Sequence, residues 1–241
     1  SDTVRGEKIY SYMALTALSN KDYQAAIDSY DKIESLDGEN RRNYVKANYL
    51  RGTELLGGGS YRKAAHCLAA VSYYSEKNET VSQLAAFALA EAKYRDAQYA
   101  DAAAKFTELY NTSALYGQPQ GDAVPYCIAY AYMKNGNYDK SVHWFDVYCS
   151  EANPKYLRDA MLRKADCLMA QKKYDEAAAA YQTVWEKKND VNDIYPYYRS
   201  ALAYGLIKAT GKKARTNKTK KIELLDKVMS ANPSSPYYSD E

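Results

Sequence analysis

Tyrosines at Tyr23, Tyr61, Tyr99, Tyr138 and Tyr174 are separated by 38, 38, 39 and 36 residues, and the polar and apolar positions around each one recur in step. Three residues after each stands a small side chain: Ala26, Ala64, Ala102, Ser141 and Ala177. Seven after stands a large apolar one (Tyr30, Leu68, Phe106, Phe145, Tyr181), and ten after comes Ile33, Val71, Leu109, Tyr148 or Val184. Nine before each is Ala or Gly: Ala14, Gly52, Ala90, Ala129 and Ala165. Offsets of three, seven and ten mark one face of an α-helix, so each tyrosine opens a helix with one apolar stripe. The stretch ahead of each tyrosine reads as a second helix; residues 82–95, for example, are rich in Ala and free of Gly and Pro. Between the two lie Asn20-Lys21-Asp22, Gly57-Gly58-Gly59-Ser60 or Asn135-Gly136-Asn137, whose Gly and Asn suit the left-handed backbone that ends a helix. One such antiparallel pair cannot bury its apolar face alone. The pattern therefore predicts stacked neighbours, an all-α solenoid.

The segments Asp22-Tyr23-Gln24-Ala25-Ala26-Ile27, Asn137-Tyr138-Asp139-Lys140-Ser141-Val142 and Lys173-Tyr174-Asp175-Glu176-Ala177-Ala178 resemble the turn and second helix of the tetratricopeptide repeat (TPR) family. The resemblance covers roughly residues 8–233. It implies a right-handed superhelix of antiparallel helix pairs in one domain over 1–241, with five clear repeats (approximately 8–38, 43–76, 82–112, 123–152 and 156–189) and one divergent repeat, 195–233. The spacing exceeds the family's unit of about 34 residues, which implies longer helices or loops, notably over 111–124. In the divergent repeat, Tyr195–Thr210 reads as the first helix and Lys221–Ala231 as the second, with Leu225 and Val228 in the apolar places and a stretched loop over 211–220. Residues 234–241 read as the start of a truncated seventh unit, because Pro236-Tyr237-Tyr238 echoes Pro196-Tyr197-Tyr198. That reading leaves Ile222, Leu225, Val228 and Met229 as an apolar flank open to self-association.

Charge changes the picture little. Lys plus Arg number 33 against 30 Asp plus Glu, a formal +3, which predicts no general affinity for polyanions. The basic stretch Lys208, Lys212, Lys213, Arg215, Lys218, Lys220, Lys221 is the exception. Without an interleaved aromatic to stack a base, it reads first as a solvated loop and second as a docking site for nucleic acid or an acidic partner. The longest apolar run, Tyr126–Met133, is far short of the ~20 residues that span a bilayer, so no transmembrane segment is expected. Four cysteines, Cys67, Cys127, Cys149 and Cys167, show no CxxC spacing. They read as free thiols, with a Cys149–Cys167 pair as the alternative.

Catalytic chemistry finds little support. His66 and His143 each follow a repeat tyrosine by five residues in repeats two and four. Helix-to-helix steps of 8–10 Å place them too far apart to share a metal or an acid–base task. Neither phosphate-loop, zinc-protease nor nucleophile-elbow strings occur, and no cofactor or metal is expected. The resemblance implies instead a non-catalytic scaffold whose first helices line a concave groove for a protein or peptide partner. Residues twelve, eight, five and four before each tyrosine are its candidate lining. These are Tyr49 and Thr53; Phe87, Glu91, Tyr94 and Arg95; Tyr126, Tyr130, Met133 and Lys134; and Leu162, Asp166 and Met169. Tyr and Arg are favoured at binding hot spots, and Phe87, Tyr94, Tyr126 and Tyr130 are expected to form one exposed strip. The Lys, Asn and Arg set with which some family members hold a C-terminal carboxylate is not recognisable at Ser11, Leu15, Tyr49 and Thr53. The tyrosine-rich style resembles exported bacterial members of the family, which places the periplasm or exterior ahead of the cytoplasm.

Overall fold

The computed structural model describes residues 2–151, 154–187 and 194–231. They form twelve α-helices: α1 (Asp2–Ser19), α2 (Tyr23–Tyr30), α3 (Gly38–Gly57), α4 (Tyr61–Tyr74), α5 (Thr80–Arg95), α6 (Tyr99–Asn111), α7 (Val124–Lys134), α8 (Tyr138–Ser150), α9 (Leu157–Ala170), α10 (Tyr174–Lys187), α11 (Tyr195–Leu206) and α12 (Gly211–Ala231). Every repeat tyrosine is the first residue of its helix. Within each unit, packing runs mainly between helices adjacent in sequence. The chain divides into two compact units, residues 1–124 and 125–241.

The turn inside each of the five repeats has one construction. The residue two before the tyrosine adopts positive φ: Lys21 62°, Gly59 78°, Ala97 61°, Gly136 75° and Lys172 62°. The next N–H then reaches back to close the helix, as Asp22 N does to Ala17 O (2.9 Å) and Asn137 N to Tyr132 O (2.9 Å). This is the αL termination that satisfies the last carbonyls of a helix. Only two of the five use glycine.

In unit 1 a core of Ala14, Ala26, Ile27, Tyr30, Tyr44 and Ala47 joins the first pair of helices to α3. A second, of Val45, Ala64, Leu68, Val71, Ala85, Leu89 and Ala92, joins α3 and α4 to α5. Gly52 is required there, since a Cβ on it would sit 2.7 Å from Leu68 Cγ. In unit 2, Ala129, Phe145, Tyr148, Ala160 and Cys167 form one core, and Leu162, Ala165, Leu168, Ala177, Tyr181, Val184 and Ala203 form the other. Ala14, Ala90, Ala129 and Ala165, nine before their tyrosines, are all completely buried. Ser141, the one hydroxyl among the small positions, donates to the Ala129 carbonyl (2.9 Å). Cys67, Cys127, Cys149 and Cys167 form no disulfide; burial raises the Cys67 thiol and pushes Cys167 up to about 11.

The divergent repeat departs from expectation. Residues 211–220 are helical, not looped, because α12 begins at Gly211; Lys, Arg and Ala are good helix formers, and no Pro interrupts them. The buried residues of α12 are Asn217, Leu224 and Val228. Burial of Pro196, Ala201 and Ala203 on α11 repeats the spacing of Ala160, Ala165 and Cys167 on α9 and places the tyrosine-equivalent of that helix at Thr210, but α12 does not continue the register, because Lys213 and Lys220, three and ten residues on, are exposed. Of the expected apolar flank, Val228 is sealed and Leu225 half-buried, while Ile222 and Met229 are exposed. The expected start of a seventh unit, 234–241, lies outside the described residues.

Candidate binding faces

In unit 2 the first helices of successive repeats, α7, α9 and α11, carry a continuous polar network. Tyr126 and Tyr130, one turn apart on α7, both donate their hydroxyls to Asp159 Oδ2 of α9, at 2.7 and 2.5 Å. Asp159, Arg163 and Asp166 lie at i, i+4 and i+7 on one face of α9. Arg163 links the two carboxylates, 3.3 Å from Asp159 Oδ1 and 2.6 Å from Asp166 Oδ2. The other oxygen of Asp166 accepts from Tyr181 Oη of α10 (2.6 Å) and Tyr195 Oη of α11 (3.1 Å), with Arg199 Nε 3.7 Å away. The Arg199 guanidinium lies 5.8 Å from the ring centres of both Tyr181 and Tyr195, within cation–π range. Around Tyr126 the rings of Tyr130, Tyr148 and Tyr156 close to within 4.8–5.1 Å.

The electrostatics follow from burial. Desolvation, and then the carboxylates, raise the phenols of Tyr126, Tyr181 and Tyr195 and push Tyr130 up to about 12. Burial works against the charge on Arg163, but Asp166 and Asp159 outweigh it and raise its pKa. Two carboxylates face two guanidiniums, so the face is electrically balanced, aromatic and rigid. The phenols are held as proton donors and the acids are saturated with donors, which leaves neither a poised base nor an activated nucleophile in the network. Among the described residues, no group of three His, Cys, Asp or Glu could hold a metal ion.

The residues expected to line a groove fall into place unevenly. Tyr126, Tyr130 and Asp166 belong to this network. Met133 packs on the core around Phe145, Met169 on the core around Tyr181, Leu162 is buried, and Lys134 is exposed at the end of α7. In unit 1, Phe87 meets Phe106 edge-on (5.4 Å) and Tyr94 meets Tyr99 likewise (5.4 Å). Glu91 pairs with Arg95 at 2.6 Å, Thr53 is half-buried, and Tyr49 borders a cleft. Phe87, Tyr94, Tyr126 and Tyr130 are all half-buried, neither sealed in a core nor fully open. Asp159, Arg163, Tyr195 and Arg199 were not among the expected residues. Asp159 and Arg163 stand fifteen and eleven residues before Tyr174, one turn beyond the offsets used, and Tyr195 and Arg199 hold the same places before Thr210.

The family model described as tetratricopeptide repeat matches residues 157–190, the fifth repeat. No curated protein matches the chain by sequence. Several solved structures share its fold. YrrB, described as a TPR protein with an unusual peptide-binding site, is 15% identical with a TM-score of 0.59, covering 89% of this chain and 96% of its own. The C-terminal part of a TPR repeat-containing protein from Cytophaga hutchinsonii is 15% identical, TM-score 0.56, covering 96% and 88%. PilF from Pseudomonas aeruginosa is 14% identical, TM-score 0.53, covering 100% and 98%. Residues 157–190 thus match a tetratricopeptide repeat, and the paired helices with their recurring tyrosine give the chain the all-α solenoid fold of these tetratricopeptide repeat structures.

Proposed function

We propose that the protein is a non-catalytic scaffold that holds a protein or peptide partner along the faces of its first helices. The observation that carries this reading is the Tyr–Asp–Arg network of α7, α9 and α11. Partly open aromatic and guanidinium groups, locked in place by each other, offer contact area at little cost in side-chain entropy. In unit 1 the matching surface is Tyr49, Phe87, Glu91, Tyr94 and Arg95. The description of YrrB supports a peptide as the occupant of such a fold. The competing reading, a nucleic-acid surface on 208–221, draws on fewer free cations than the sequence suggests. Lys213 pairs with Asp175 (3.0 Å), and Lys220 lies over the Tyr204 ring.

Affinity capture from the source cell, read by mass spectrometry, tests the proposal. A partner captured by the wild-type chain should be lost with Arg95→Glu or Lys134→Glu, both exposed on first helices, and retained with Lys63→Glu on the second helix α4. Capture indifferent to the first two changes and abolished by the third would place binding on the second-helix surface instead.

A further inference from the structure

We propose that the cleft of about 700 Å³ in unit 1, at the N-terminal ends of α3 and α5, is a docking site for a peptide segment that pairs an acidic side chain with a large aliphatic one. The proposal deepens the scaffold reading and rests on it. One wall is α3, which presents Arg42, Lys46 and Tyr49. Arg42 and Lys46 are four residues apart, about 6 Å along the helix and on one side of it. Both are exposed, and among the described residues neither pairs with a carboxylate. This sets them apart from Arg163 and Arg199 of unit 2, whose charges face Asp159 and Asp166 within the fold. Arg41 is already committed: its Nε donates to the Tyr74 carbonyl at 2.6 Å and fastens the far end of the cleft. The floor is apolar, with Val45 and Val81 at its base.

The opposite rim selects among anions. Glu76 and Glu79, on the segment that leads into α5 and not on α3, also line the cleft and are exposed. Two carboxylates there repel a polyphosphate chain, whose negative charge is uniform along its length. A peptide has no such difficulty. Its acidic side chain meets Arg42 and Lys46, its aliphatic neighbour covers the floor, and its backbone N–H groups or a basic residue face Glu76 and Glu79. A surface charged on one rim and oppositely charged on the other also fixes the direction in which a peptide lies, since reversal places like charges together.

The test uses the whole chain and short fluorescein-labelled peptides of alternating Asp and Leu, with Asn–Leu and Lys–Leu versions as controls and heparin as a polyanion competitor. The expected result is micromolar binding of the Asp–Leu peptide, weakened roughly tenfold by raising salt well above physiological strength. Binding should drop by about tenfold or more in the double variant Arg42→Glu/Lys46→Glu, and be kept by Arg42→Lys. Both residues are exposed, so the variant should melt like the parent. Equal binding of the three peptides, unchanged affinity of the double variant, displacement by heparin at lower concentration than by unlabelled peptide, or no binding of any peptide would each overturn the proposal. A partner captured from cells and lost with Lys134→Glu, far along the chain from this cleft, would leave the scaffold reading standing while the cleft assignment fell.

Discussion

At the places where α9 carries Asp159, Arg163 and Asp166, α3 carries Lys46, Leu50 and Thr53, and α5 carries Leu84, Ala88 and Glu91. The helices are equivalent in position and in backbone, yet the chemistry on them differs. Unit 2 ties three consecutive first helices together with phenol hydroxyls and guanidiniums converging on two carboxylates. Unit 1 joins α3 and α5 through aliphatic packing and leaves Arg42 and Lys46 beside an open cleft. The same repeat thus serves two ends: where opposite charges are spent on each other the face becomes stiff and neutral, and where they are not it keeps attraction for something else.

Both tryptophans, Trp144 and Trp185, lie in unit 2. Their emission maximum therefore reports that unit, while far-ultraviolet circular dichroism reports both. The largest effect expected is alkaline. Tyr126, Tyr130, Tyr181 and Tyr195 titrate above their ordinary value near 10, Tyr130 at about 12, through burial and then through the facing carboxylates. The folded state thus keeps protons that the unfolded chain gives up. Stability is full below pH 10 and falls as pH rises through 10 toward 12 and beyond. Tyr30 and Tyr44 in unit 1 are raised too, but fewer phenols are involved, so the tryptophan transition should come at lower pH than the loss of helix as a whole. The opposite order would break the comparison.

Asp166→Ala comes next. It strips Arg163 and Arg199 of a shared, mostly buried partner and removes the carboxylate that accepts from the Tyr181 and Tyr195 hydroxyls, which should cost about 3 kcal/mol in the urea transition seen by tryptophan. Arg42→Ala, by contrast, should shift neither probe by more than about 0.5 kcal/mol, as an exposed and unpaired side chain. Comparable losses from the two would erase the distinction between spent and unspent charge.

Unit 2 also contains its own exception. Asn217 is buried on the face of α12 that it shares with Leu224 and Val228, and its Nδ2 has no hydrogen-bond partner. Asn217→Leu should raise stability by about 1–2 kcal/mol by removing a dehydrated amide; a loss would mean that the space fits only the amide. Smallest is Ala97→Gly in unit 1, expected to gain less than about 1 kcal/mol, because Ala97 holds a left-handed φ of 61° where Gly136 of unit 2 needs no Cβ relief. The gain should appear in the dichroism melt and leave tryptophan emission unmoved.

The helix pairs were readable because they rest on a local rule: a small, aromatic and apolar rhythm that each repeat restates. All five tyrosines start helices, and all of the small residues nine before them are packed tightly. The sixth repeat is harder to read because Thr210 stands where α11 calls for a tyrosine, and without that marker nothing in the spacing announces that 211–220 belongs to the second helix. The network was readable only in fragments for a different reason. Its bonds join residues from three repeats through side-chain tips, and no spacing along the chain announces that two hydroxyls and a guanidinium will converge on one carboxylate. Tyr181 shows the difficulty most plainly. Its completely buried ring obeys the apolar rhythm, yet its hydroxyl carries one of the bonds to Asp166.

The packing of each helix mainly on its sequence neighbours also has a mechanical consequence. A tension applied along the chain meets, among the described residues, little packing between helices distant in sequence, so helix pairs would yield one at a time and re-form as the load falls. Resistance would then be set by the local ties, the alternating Tyr–Asp–Arg bridges of α7, α9 and α11 giving a stiffer spring than the aliphatic contacts between α3 and α5. A partner held across several such pairs would add a clasp between them.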